Sequence, residues 1–143
     1  MKNITMLTLA FFAMLLSAKA SLAQNTNMER ELVAIMAQGG YAVSETLYAD
    51  VKEGSSTFRW KTFYSQVNYM IVAFAEEDGV NDIDLYLYDG DNYLLSKSTS
   101  SNNYELLKYT PYSTRQLKVQ VKNYDSYSSS YTYRLKFIIF YRN

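Results

Sequence analysis

Apolar residues run almost unbroken over positions 4–16, recur at helical spacing for one short stretch, and from position 41 alternate with polar residues to the end of the chain. The alternating part is organised around positions 81–97. There Ile83, Leu85 and Leu87 alternate with Asp84, Tyr86 and Tyr88, the period of two that one buried sheet face requires. Asp89-Gly90-Asp91-Asn92 then supplies turn chemistry before a second strand.

The same period extends to either side. Positions 41–51 form a candidate strand, 53–56 a turn and 57–63 a second strand, with Phe58 and Trp60 on one face and Arg59 and Lys61 on the other. Trp60, the single tryptophan, is expected in the core. Positions 66–75 are the most apolar, with Met70, Ile71, Val72, Ala73 and Phe74 in succession, as in a central strand covered on both sides. After a polar loop at 98–103 come a short strand at 104–109 and a turn at Pro111-Tyr112-Ser113. Leu117, Val119 and Val121 then alternate with Lys118, Gln120 and Lys122 in a strand with one wet face. A Ser/Tyr loop at 124–130 leads to a closing strand at 131–141, with Tyr133, Leu135, Phe137, Ile139 and Tyr141 on one face. Seven or eight short strands with turn signals between them predict an all-β fold, an antiparallel β-sandwich of jelly-roll-like form with about eight strands and one short N-terminal α-helix. A small barrel is the competing closure. No repeat of the length that builds propellers or solenoids is present.

The helix is predicted just before the strands. Thr26-Asn27-Met28-Glu29 has the spacing of a capping box, Met28, Leu32, Ile35 and Met36 share one helical face, and Gly39-Gly40 stops the run. The expected role of this helix is to pack on the sheet domain; docking to a partner is the alternative. The first apolar run, preceded by Lys2 and followed by Ser21-Leu22-Ala23, reads as a secretory signal peptide over 1–23, with a second cleavage choice after Ala20. It is shorter than the ~20 residues of a spanning helix, so no stable membrane insertion is expected after cleavage. The chain is thus divided into a signal at 1–23, a helical segment at 24–40 and a sandwich at 41–143, secreted or periplasmic.

Charge and composition remove several function classes. The signal takes Lys2 and Lys19 with it, leaving 14 acidic side chains in slight excess, and the remaining basic residues are scattered singly along strands. No nucleic-acid partner is expected from such a distribution. With neither His nor Cys, the chain has no Ser-His-Asp or Cys-His nucleophile system, no ordinary zinc, copper or haem site and no disulfide. The core alone must hold the domain together.

Asp82-Ile83-Asp84-Leu85-Tyr86-Leu87-Tyr88-Asp89, the turn after it, the Leu-Leu strand, the Ser-rich loop and Tyr104-Glu105-Leu106 together resemble the bacterial pre-peptidase C-terminal domain. Leu117-Lys118-Val119-Gln120-Val121 and Tyr131-Thr132-Tyr133-Arg134-Leu135 are similar to that family's last two strands, and the likeness spans roughly residues 45–140. The resemblance implies a secreted, non-catalytic sandwich module usually appended to a peptidase. In collagenases such modules use calcium near the N-terminal side of the sandwich and aromatic residues on a sheet face to hold collagen. This chain departs from the family in carrying no peptidase and in having Ser113-Thr114-Arg115-Gln116 where a Gly-x-Tyr leads into the penultimate strand.

Two candidate sites follow. Glu77, Asp78, Asn81, Asp82 and Asp84 lie in one acidic connection, the oxygen-rich material from which a structural Ca2+ site is built; the same residues also make an ordinary solvated loop. The chain's 15 tyrosines are the other unusual feature. Tyr86, Tyr88 and Tyr93 surround the central hairpin, and Tyr124, Tyr127 and Tyr131 crowd the last loop. Tyrosine offers a rigid amphipathic surface suited to an extracellular polymer or protein, while aromatic pairing across strands explains it equally well. No catalytic residue is assigned. The expectation is a non-enzymatic binding or accessory module. A partner of a separately encoded peptidase, as inhibitor or folding aid, is one alternative, and a small hydrolase using carboxylates alone is the other.

Overall fold

The computed structural model describes residues 23–143, with side chains from residue 28 onward. The apolar run and both cleavage positions of the expected signal peptide lie outside the described side chains. The chain divides into two compact units between Ala42 and Val43.

In the first unit, helix α1 spans Ala23–Gln38. It is already helical at Ala23, so Thr26 does not begin it, and the expected capping box falls inside the helix. The stop is where the glycines place it. The Tyr41 amide donates to the Met36 carbonyl at 2.9 Å and the Gly40 amide to the Ala37 carbonyl at 2.9 Å, the paired bonds of a Schellman motif. Gly40 takes φ 79°, which a side chain would oppose.

The second unit is a sandwich of two four-stranded sheets. Strand β1 is Ala42–Lys52, β2 Ser56–Phe63, β3 Asn68–Ala75, β4 Val80–Tyr88, β5 Leu94–Ser98, β6 Tyr104–Tyr109, β7 Arg115–Ser126 and β8 Thr132–Arg142. The strand order is β1-β8-β3-β6 in sheet A and β2-β7-β4-β5 in sheet B. The pairings of β2, β3, β4, β5, β6, β7 and β8 with their neighbours are antiparallel. The sandwich predicted by period-two alternation is therefore the fold, and no barrel closes.

The core lies between the sheets. Ile71, Ala73, Leu135, Phe137 and Ile139 come from sheet A, and Phe63, Ile83, Leu85, Leu87, Leu117, Val119 and Val121 from sheet B. The central strands β3 and β8 of sheet A are buried on both faces, because the alternate residues Met70, Val72, Phe74, Ile138 and Phe140 are buried as well. That double burial explains the unbroken apolar run of β3. Sheet B has one wet face, which matches the alternation of β4 and β7.

Two differences from the sequence reading bear on function. Strand β7 runs on to Ser126, so Tyr124 sits on a strand and not in the last loop. Register shifts in the β4–β7 pairing fall between Val80 and Ile83, at the acidic connection. The other difference is Trp60, which is not in the core but 37% exposed.

The β3–β4 turn is held by Gly79, whose φ is 105° and whose missing Cβ would lie 2.9 Å from Cε1 of Tyr133. The Tyr133 ring cannot recede freely, since it is buried and packs edge-on against Tyr131 with centroids 4.9 Å apart. Gly79→Ala is expected to destabilise the fold by about 1–3 kcal/mol from backbone strain and this contact together. Urea unfolding checks it; an unchanged midpoint would mean that the turn relaxes without cost.

Candidate functional site

The site begins with the direction in which β2 faces. Phe63 is fully buried and meets Tyr69 edge-on at 4.5 Å between centroids. Period two then points Lys61 and Arg59 to the same inward side and turns Phe58 and Trp60 outward. At this edge the two sheets are joined by charge: Nε of Arg59 lies 3.0 Å and Nζ of Lys61 3.6 Å from the carboxylate of Glu45 on β1. Inward charges on an edge strand also blunt it against strand addition. The apolar side of β2 is left to solvent, with Phe58 58% and Trp60 37% exposed.

Register builds the rest of the face. Phe58 pairs with Gln120, which pairs with Tyr86, which pairs with Lys97; Trp60 pairs with Lys118, and Lys118 with Tyr88. Residues directly opposite in a sheet point to the same side, so these side chains share the outward face of sheet B. Tyr86 and Tyr88 stack with centroids 6.1 Å apart and planes 27° from parallel. The Lys118 ammonium lies 4.6 Å from the Tyr88 ring centroid, 5.8 Å from that of Phe58 and 5.9 Å from that of Trp60. It also donates to Oδ1 of Asn92 at 2.6 Å. Lys122 lies over the Tyr124 ring at 5.0 Å.

Asn92 belongs to the β4–β5 turn, which Asp89 shapes by accepting from the amides of Asp91 and Tyr93, each at 2.9 Å. Asn92, not Gly90, takes the left-handed conformation there, at φ 63°. The expected turn is present, and its amide side chain steadies the central ammonium of the face.

Of the tyrosines expected to form a binding surface, the structure brings together Tyr86, Tyr88 and Tyr124. Tyr93 is exposed in the turn beside them. Tyr127 and Tyr131 belong elsewhere: the Tyr127 amide donates to the Gly79 carbonyl, and Tyr131 packs on Tyr133. Phe58, Trp60, Lys118 and Lys97 are the members that sequence reasoning missed. Their alternation was visible, but nothing in it tells an inward from an outward side when both carry long side chains.

Beside these rings lies an acid cluster. The Tyr86 hydroxyl donates to Oδ2 of Asp84 at 2.8 Å, and Asp84 is buried. Burial, this hydrogen bond and the neighbouring negative charge push the Tyr86 phenol up to about 12. Asp82 is raised above the ordinary value of 3.8, first by burial and then by the charges of Asp84, Glu105 and Asp125. Oδ1 of Asp82 is buried without a hydrogen-bond partner. Glu105, which the sequence did not single out, is buried on β6 and accepts from the hydroxyls of Ser98 and Ser100 and from the Ser100 amide at 2.6 Å.

The structure therefore brings Asp82 and Asp84 close to Glu105 and Asp125, and does not place Glu77 or Asp78 in that group. Asn81 is held by Asp125, to whose Oδ2 its amide donates at 2.9 Å. Among the described residues no group of three or more acidic side chains is disposed to hold a metal ion. The acidic set that the structure gathers thus differs from the expected one, with Glu105 and Asp125 joining Asp82 and Asp84. A cleft of about 470 Å3 at the far end of β2 is lined by Lys61, Tyr64, Tyr69 and Tyr141 among others, with no acidic side chain. A carboxylate pair of the glycosidase kind has no place in it.

Comparison with known proteins locates the fold. No family model matches the chain, and no curated protein matches it. Among solved structures, it is similar to the pre-peptidase C-terminal domain of collagenase from Bacillus anthracis, with 11% identity and a TM-score of 0.51 over 66% of this chain and 87% of that one. The periplasmic inhibitor of g-type lysozyme from Aeromonas hydrophila, PliG, is similar at 6% identity and a TM-score of 0.50, over 72% of this chain and 87% of that one. The likeness is one of fold. Among the described residues no helix is long and apolar enough to cross a membrane.

The raised Asp82 has a consequence for stability. A carboxyl whose folded pKa exceeds its unfolded value holds its proton more tightly when folded, so stability falls as pH rises from 3.8 through the raised value and stays lower above it. Asp82→Asn is expected to stabilise the protein at neutral pH by under about 1 kcal/mol, since solvent screens this half-buried group. It should also flatten the pH dependence just above the ordinary carboxylate range. Urea unfolding across that range tests this; a destabilised variant would mean that Asp82 makes a favourable contact as an anion.

Proposed function

We propose that this chain is an exported, non-catalytic binding module of the pre-peptidase C-terminal kind, which holds an extracellular polymer or protein on the outward face of sheet B. The observation that carries this reading is the orientation of β2. Two large aromatic side chains face solvent while two cations of the same strand face inward, an inversion of the usual pattern that leaves apolar surface where a partner can cover it. Rigid rings from β2, β4 and β7 stand on the same side of one sheet, and sites built on strands hold their geometry better than sites on loops. The shared fold with a collagenase domain and a periplasmic inhibitor supports a scaffold role for the sandwich and leaves the ligand to this face. A peptidase partner would be a protein ligand of the same face.

Paired substitution tests the reading. Phe58→Ala with Trp60→Ala is expected to leave the melting temperature nearly unchanged, because neither ring is in the core, and to lower affinity for the bound polymer or protein at least tenfold. Retained affinity would remove this face as the site. Thermal unfolding in EDTA and then in calcium, with magnesium as control, is expected to show no calcium-specific shift. A rise of several degrees would place an ion at the acid cluster by linkage, and Asp82→Asn should then abolish it.

A further inference from the structure

Resting on that reading, we propose that the face takes an acidic polysaccharide, a chain of uronate-type sugars, in preference to an uncharged one. Its most enclosed cation decides the class. The Lys118 ammonium lies against the rings of Tyr88, Phe58 and Trp60 and is fixed by Asn92, so it occupies the ground a neutral sugar would need for stacking. A neutral sugar ring would have to displace it. A carboxylate on a sugar instead meets an ammonium already desolvated on its ring side and already oriented, while the sugar's C–H face lies along the exposed parts of Phe58 and Trp60.

Two further lysines extend the charge along the face. Lys97 is opposite Tyr86 on the edge strand β5, and Lys122 lies four residues beyond Lys118 on β7, over the Tyr124 ring. Strand spacing and rise put these groups about 10 Å across and about 13 Å along from one another, a spread suited to a polymer with repeated carboxylates and not to one small anion. Among the described residues, none of the three is held in a salt bridge. Two carboxylates share this side: Asp84, opposite Lys122 in the β4–β7 register, is buried and accepts from Tyr86, and Asp89 accepts from the amides of its own turn. Lys97, Lys118 and Lys122 thus outnumber Asp84 and Asp89 on this side, on a chain whose formal net charge is zero. Three separated cations are few for a phosphate backbone, which favours the polysaccharide over a nucleic acid.

The test compares polygalacturonate with an uncharged galactan, gelatin and a single-stranded oligothymidylate, using isothermal titration with the purified protein at low and moderate salt. Polygalacturonate should bind, weaken as salt rises, and exceed the uncharged galactan by tenfold or more. Lys118→Met should lose on the order of tenfold or more of that affinity, and Lys97→Gln or Lys122→Gln a smaller share, with unfolding midpoints unchanged. Equal, salt-insensitive binding of the galactan that Trp60→Ala abolishes would overturn the acidic class while keeping the aromatic face. Tighter binding of gelatin or the oligonucleotide would overturn the polysaccharide. Binding of any probe that survives both Lys118→Met and the Phe58→Ala, Trp60→Ala pair would overturn this inference and the site together.

Discussion

The anchoring of β2 by Phe63 is the constraint on which the rest of the site depends. A strand alternates strictly, so one buried ring at its end decides the direction of every residue before it, and a slip of one residue would exchange the two faces. With Phe63 inside against Tyr69, Lys61 and Arg59 must point toward the neighbouring sheet, and Phe58 and Trp60 must point away. Glu45 makes the inward arrangement tolerable, since a carboxylate on β1 meets both cations at the thin edge of the sandwich. Such a half-exposed pair adds little stability by itself. Its effect is to leave those positions without a demand for apolar residues, which frees the outward side of β2 to carry aromatic rings.

Everything on the wet face of sheet B follows from register against that strand. Strand β7 places Lys118 between Trp60 and Tyr88, and β4 places Tyr86 so that its hydroxyl reaches Asp84. The acid cluster and the aromatic face are thereby mechanically linked. Tyr86 stacks on Tyr88 while its hydroxyl donates to the buried carboxylate of Asp84 on the same side of β4. Glu105 and its serine partners close the end of the sandwich behind it. The carboxylates there repel one another, which is part of why Asp82 holds its proton above the ordinary value.

The sheet architecture was legible because alternation is a direct record of burial. Ile83, Leu85 and Leu87 on β4, and Leu117, Val119 and Val121 on β7, all lie in the core as their spacing required, and the apolar run of β3 is buried on both sides. The Schellman stop of α1 was legible because glycine is the residue that a left-handed helix terminus needs. Trp60 was misread because size and apolarity favour the interior only when the sheet is thick enough to hold them, and at its edge charge took the inward side. The extension of β7 through Tyr124 was hidden by a Ser/Tyr composition that suits a loop and a strand alike. Glu105 gave no signal at all, since its serine partners lie in a loop whose folding against β6 is a tertiary event.

The central claim is that the aromatic side of β2 faces solvent in the unliganded protein, and the single tryptophan makes it directly measurable. Steady-state fluorescence of Trp60 with acrylamide as quencher reads its surroundings without any ligand. The account predicts emission toward the solvated end of the range and ready quenching in the folded state. Emission typical of an apolar interior with strong protection from acrylamide would mean that β2 is turned by one residue, and the face described here would not exist.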